Sequence, residues 1–143
     1  MAQARRELRG GFRGQAADRE ALEKITVGGL SFAVEYRHVG EEQGPSVHVF
    51  GDVDGVEEEI LRFDCFDKTP HYHYGFSYID QPQVLIDRAA TGDPLEWVCG
   101  RIETRLPMML ERAQAGHLAA SCDAARLGTV AAELLARGRA LSP

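Results

Sequence analysis

The chain has 143 residues, with 22 acidic and 16 basic side chains and a formal charge of -6. That length suffices for one domain with a core that needs no disulfide or metal staple. An acidic body argues against broad binding to the phosphate backbone of nucleic acids, which draws on a basic surface, and apolar and charged fractions of 44% and 27% exclude wholesale disorder.

The first nineteen residues carry Arg5, Arg6, Arg9, Arg13 and Arg19 against Glu7 and Asp18. This basic, Gly- and Arg-rich stretch reads as a flexible arm over 1–19. No apolar segment follows Met1 to Glu7 as a secretory signal would require, and no run reaches the ~20 apolar residues of a membrane span. The expected compartment is the cytoplasm. Cys65, Cys99 and Cys122 have no C-x-x-C spacing, so reduced thiols are expected rather than a disulfide framework or a thiolate zinc site.

From Ile25 to Val39, Phe32, Val34 and Tyr36 alternate with Ala33, Glu35 and Arg37, the period of a half-buried strand, with a bend at Gly28-Gly29. The segment Gly40 to Pro45 reads as a polar loop, and Ser46 to Gly51 as a second strand. Asp54-Gly55 signals a hairpin turn into a third strand, Glu57 to Phe66. Its first residues, Glu57, Glu58 and Glu59, read as a solvated edge. Asp67-Lys68-Thr69-Pro70 then forms a four-residue loop into a strand from His71 to Tyr78, and Val84 to Ile86 allows a short edge strand.

Asp93 and Pro94 open a helix as N-cap and first residue, with Glu96 completing a capping pattern. Leu95, Val98, Ile102, Leu106 and Met109 give it one apolar face, Pro107 bends or divides it, and Gly116 is the expected stop. A last helix runs from about Cys122 to Arg137, with Gly138 after it. Strands first and helices after them define an α+β fold. The expected architecture is a four- or five-stranded antiparallel sheet covered on one face by two or three C-terminal helices. The organisation is an arm over 1–19, the α+β domain over 20–118, and a C-terminal helix over 119–143 that packs on the domain or mediates a homodimer.

The stretch from Phe63 to Tyr74 concentrates acids and histidines. A four-residue loop pairs Phe66 with His71 and Asp64 with His73. Alternation then sends Leu61, Phe63, Cys65, Tyr72 and Tyr74 to an apolar face, and Arg62, Asp64, Phe66, His71 and His73 to a polar one. Two histidines two residues apart on a strand project in parallel, so His71, His73 and Asp64 are candidate ligands of a divalent metal such as zinc. His48 joins them if Val53-Asp54-Gly55 makes a three-residue bulged turn; a two-residue turn sends it to the core. Without a metal, His73 oriented by Asp64, with Arg62 as the cation for an oxyanion and His71 beside it, has the parts of a general base or of an anion site. Ser77 faces the same side, a full step away.

The run Arg62-Phe63-Asp64-Cys65-Phe66-Asp67, followed by His71-Tyr72-His73, resembles the arginine, aromatic, aspartate and paired-histidine stretch of the TumE-like toxins of bacterial toxin-antitoxin pairs. The order of elements extends the resemblance loosely to about residue 118. It implies a small cytoplasmic bacterial α+β domain cleaving RNA with Arg62, Asp64, His71 and His73. The chain departs from that pattern at Cys65, where an asparagine is expected, in the loop Asp67 to Pro70, which is not Gly-rich, and in Pro107 and the added C-terminal helix. An uncharacterised bacterial family sharing the hairpin without the activity is the other implication. Two functions follow: a binding or accessory protein acting through protein partners, which stands first because the catalytic set is incomplete, and a small ribonuclease or metal-binding enzyme.

Overall fold

In this computed structural model the described residues are 22–75 and 81–141. The basic arm and the end of the His71 to Tyr78 strand, with Ser77, lie outside them. Six strands follow one another in an antiparallel meander: β1 (Ile25–Val27), β2 (Leu30–Val39), β3 (Glu42–Val53), β4 (Val56–Asp64), β5 (His71–Tyr74) and β6 (Gln83–Leu85). The expected count of four or five is corrected to six because the Ile25 to Val39 segment is two strands. Gly28, at φ +57°, lets the chain reverse so that Val27 pairs with Leu30.

Gly40 to Pro45 is likewise not a loop: Val39 pairs with Glu42 across a two-residue turn, and β3 already runs through Gly44 and Pro45. Asp54 and Gly55 form the β3–β4 turn with φ of 55° and 82°, the double left-handed pattern of the tightest hairpins.

The meander leads into α1 (Arg88–Thr91), α2 (Pro94–Arg112), a 3-10 helix (Gly116–Ser121) and α3 (Ala124–Ala140). The Asp93 carboxylate accepts from the Glu96 amide at 3.0 Å, and Asp123 caps α3 through the Ala125 and Arg126 amides at 3.0 and 3.2 Å. Helix α2 continues through Pro107 to Arg112. The left-handed residue after it is Gln114, while Gly116 opens the 3-10 helix instead of stopping α2. Gly138 is no stop either: it lies inside α3, where a Cβ would stand 2.7 Å from Leu95 Cδ2.

One core joins these layers. Phe32, Val47, Val49, Leu61, Phe63, Tyr72 and Tyr74 point from the sheet toward Val98, Ile102 and Leu106 of α2 and Leu127, Val130 and Leu134 of α3. Each such side chain contributes roughly 1.5–3 kcal/mol on full burial. The expected helical face of α2 is the buried one. The opposite sheet face holds Glu35, Arg37, Ser46, His48, Glu59, Arg62, Asp64, His71 and His73, and there the site lies.

Candidate functional site

Alternation places His71 and His73 on the polar face and Tyr72 on the core face, but the β4–β5 register differs from expectation by two residues. Asp64 pairs with His71 and Arg62 with His73, so the connection is the six-residue segment Cys65 to Pro70. Its backbone leaves the hairpin to bind elsewhere. Cys65 N–H donates to Pro45 O at 2.8 Å, Asp67 N–H to Gln43 O at 2.9 Å and Thr69 N–H to Glu42 Oε1 at 2.8 Å. Arg88 clamps the segment through the Phe66 carbonyl at 2.7 Å and the Asp67 carbonyl. A shift of two preserves face, so the polar group survives it.

His48 reaches this face although the turn is the two-residue one that by itself sends it to the core. Val53 pairs directly with Val56, a two-residue turn, and an irregularity after Val49 restores the parity: Val49 pairs with Leu61 and Phe50 with Glu59, leaving Ile60 as the extra residue. The bulge sets His48 across from Arg62.

Asp64 is the hub, with 1% of its surface exposed. Its Oδ1 accepts from Arg37 Nη1 at 2.9 Å and Ser46 Oγ at 2.7 Å, and its Oδ2 from Arg62 Nε at 3.1 Å. His71 Nε2 and His73 Nε2 stand 3.2 and 3.4 Å from that same Oδ2. Burial alone would raise the Asp64 pKa; the two imidazoles and then the Arg62 and Arg37 guanidiniums reverse this and hold it far below the usual carboxylate range.

A second cluster continues the row. His48 Nε2 is 2.6 Å from Glu35 Oε2 and its Nδ1 2.6 Å from Glu59 Oε2. Burial disfavours its charge, yet the two carboxylates outweigh burial and raise its pKa. With carboxylate oxygens facing both ring nitrogens, the geometry suits an imidazolium, which donates from both. Glu59 also approaches Arg62 Nη1 at 3.6 Å, so charges alternate across the sheet from Glu35 through His48, Glu59, Arg62 and Asp64 to Arg37. Glu58 and Glu59, expected to be solvated, are 5% and 2% exposed.

The two site histidines differ. His71 Nδ1–H donates to the Thr69 carbonyl at 2.8 Å, which turns Nε2 toward Asp64. Burial lowers the pKa of both rings, but Asp64 and the Thr69 carbonyl bring that of His71 above its ordinary value, while that of His73 stays below. The rings meet edge to face at 4.9 Å.

These groups line a cavity of about 250 Å³ together with Val39, Glu42, Phe66, Thr69 and Gln83. Arg37, one of the lining residues and 7% exposed, has a buried Nη2 with no hydrogen-bond partner among the described residues. Burial is the largest influence on this guanidinium and lowers its pKa.

A metal can be judged against this set. Asp64, His71 and His73 offer ligand atoms within 4.8 Å of one another, and the Thr69 carbonyl on His71 Nδ1 is the outer-shell bond that metal-binding histidines use. His48, expected as a further ligand, has both nitrogens taken by carboxylates. Asp64 already serves two guanidiniums. A dication ~5 Å from each would meet roughly 7 kcal/mol of repulsion per arginine at an effective dielectric near 20.

Arg37, Glu35, Ser46 and Glu59 were not singled out from sequence. Glu35 and Arg37 share strand parity, and that polar alternation in β2 was the available signal.

Fold and site define an α+β protein: an antiparallel meander backed by two long helices, with a buried row of alternating charges ending in a small cavity. Residues 24–137 match the family model DUF7700, a domain of unknown function, and the chain belongs to that family. No curated protein and no solved structure matches it. No helix among the described residues is long and apolar enough to cross a membrane.

Proposed function

We propose that this DUF7700 domain is a binding protein whose polar-face cavity receives a small anion, a carboxylate or a phosphate. The observation that carries this reading is that Arg37, which lines the cavity, holds a buried Nη2 without a hydrogen-bond partner. Buried donors without partners are rare and cost roughly 1–3 kcal/mol, so a bound acceptor is the economical reason to keep one. The guanidiniums of Arg37 and Arg62 and the ring of His71 line the same cavity, beside the carboxylates of Asp64 and Glu42 and at the end of the buried ionic row. Such buried ionic rows add little to stability on their own.

The second reading is a divalent ion such as zinc on Asp64, His71 and His73, favoured by the 4.8 Å convergence. A ribonuclease of the kind the TumE-like stretch implies would use Arg62, Asp64, His71 and His73. For the compartment we propose a reducing one, such as a bacterial cytoplasm: all three cysteines are free, and burial pushes the Cys99 thiol up to about 12.

Thermal unfolding with phosphate, malonate or zinc tests these readings, using the wild type, Arg37→Ala and His71→Ala. A ligand at a hundredfold excess over its Kd raises the midpoint by about 5–10 °C. The anion reading expects that shift with phosphate or malonate, and its loss in Arg37→Ala; which anion acts identifies the ligand class. A zinc shift lost in His71→Ala and kept in Arg37→Ala, or cleavage of labelled RNA lost in His73→Ala, would overturn it.

A further inference from the structure

On the other side of β5, Tyr72 and Tyr74 project beside α2 and form one wall of a groove of about 410 Å³. Trp97, Arg101, Arg105 and Arg112 supply much of the other wall, on one stripe of the helix at helical spacing. The rings are close: Tyr72 to Tyr74 at 5.3 Å and Tyr72 to Trp97 at 6.2 Å. The guanidiniums lie over them, Arg112 4.6 Å from the Tyr74 centroid and Arg101 5.7 Å from that of Trp97.

Among the described residues none of the three arginines has a carboxylate within salt-bridge distance, whereas Arg137 and Arg139 of α3 pair with Glu133 and Glu96. Of the acids of α2, Glu96 pairs with Arg139 and the Glu103 carboxylate lies beside Gly128 of α3. Nε of Arg101 is buried with no hydrogen-bond partner. In a chain of charge -6, Arg101 and Arg105 stand at a repelling four-residue spacing that opposes helix stability and needs another reason. Burial, then the neighbouring Tyr74, pushes the Tyr72 hydroxyl up to about 12, so it offers a neutral ring and adds no negative charge.

We propose that this groove binds a nucleotide: a planar base packed on Trp97 and bordered by the largely buried rings of Tyr72 and Tyr74, with its phosphate held by Arg101, Arg105 and Arg112. Aromatic rings provide base stacking without sequence preference, and guanidiniums provide bidentate phosphate contacts. The volume lies within the range of small-ligand sites. Nucleotide chemistry has two sources, a free mononucleotide or a single strand of RNA. The groove is independent of the anion cavity, since Tyr72 and Tyr74 face away from His71 and His73.

Trp97 is the sole tryptophan, so its emission reports on the groove directly. The experiment titrates the full chain with AMP, GMP, adenosine, inorganic phosphate and a short oligoadenylate. The proposal expects a saturable change with AMP or GMP, at least about tenfold tighter than with adenosine or phosphate, because ring and charge act together. An oligoadenylate about tenfold tighter still identifies a strand as the source, and an equal affinity identifies the free nucleotide. Arg105→Ala and Arg112→Ala, at exposed positions, each weaken binding by about tenfold, and Arg126→Ala, at an exposed position of α3 outside the groove, leaves it unchanged. No saturable change with any nucleotide or oligonucleotide up to about 1 mM, or unaltered affinity in both arginine variants, overturns it.

Discussion

Asp64 stands directly across from His71 on the neighbouring strand, with His71 Nε2 3.2 Å from the carboxylate oxygen that also receives Arg62. This cross-strand pair fixes the centre of the polar face and sets the consequences of changing it.

Replacing Asp64 by Asn leaves Arg37 and Arg62 buried without their shared counter-charge. Removing one partner of a buried ionic group costs about 3–5 kcal/mol, which urea denaturation at pH 7 measures. The pH dependence has a definite sign. The folded pKa of Asp64 is depressed, so its stabilisation is present above the unfolded value near ~3.9 and is lost as pH falls below that toward the folded value. Asp64→Asn therefore loses less stability than the wild type between about pH 4 and pH 2.

His48 gives the opposite slope. Its folded pKa is raised, so the stabilisation is fully present below about 6.5 and is lost as pH rises through the folded value. Wild-type urea midpoints should fall on the alkaline side of neutrality, and the fall should weaken in His48→Gln. Parallel curves for the two proteins above pH 7 would count against a buried imidazolium.

Gly44 has φ +151°, and a Cβ there would run into the Cys65 carbonyl and come within 3.1 Å of the Phe66 Cα. The obstacle is backbone, which cannot swing aside. Gly44→Ala should cost at least about 2 kcal/mol and displace the segment that leads to His71; thermal unfolding and the His71 ring signals in NMR are the checks.

Arg88 ties α1 to the Phe66 and Asp67 carbonyls. In Arg88→Ala the Cys65 to Pro70 segment loses that clamp, so its amides exchange faster while those of β2 and β3 do not. Anion affinity falls several-fold with it, through Phe66 and Thr69 on the cavity wall.

Side-chain parity was what the sequence made legible. Phe63 and Tyr72 against Asp64 and His73 separate under any register shifted by an even number, so the candidate group was readable although the pairing was not. Asp93-Pro94 marked the start of α2 because capping is local. Other features depend on long-range contacts. The loop is six residues because Cys65 and Asp67 find partners in Pro45 and Gln43 of β3. The bulge at Ile60 has no Gly or Pro to announce it. Arg37 meets Asp64 across 27 positions of sequence, and Glu59 looks solvated until His48 and Arg62 are placed beside it.

The anion site is tested most directly by following the Arg37 guanidinium itself. In an NMR titration of the isotopically labelled full chain with phosphate and with malonate, the Arg37 side-chain resonances should move saturably with one of them, together with the ring signals of His71 and His73. If the Arg37 signals stay fixed with both anions while zinc shifts His71 and His73, the cavity is a metal site and the account is wrong.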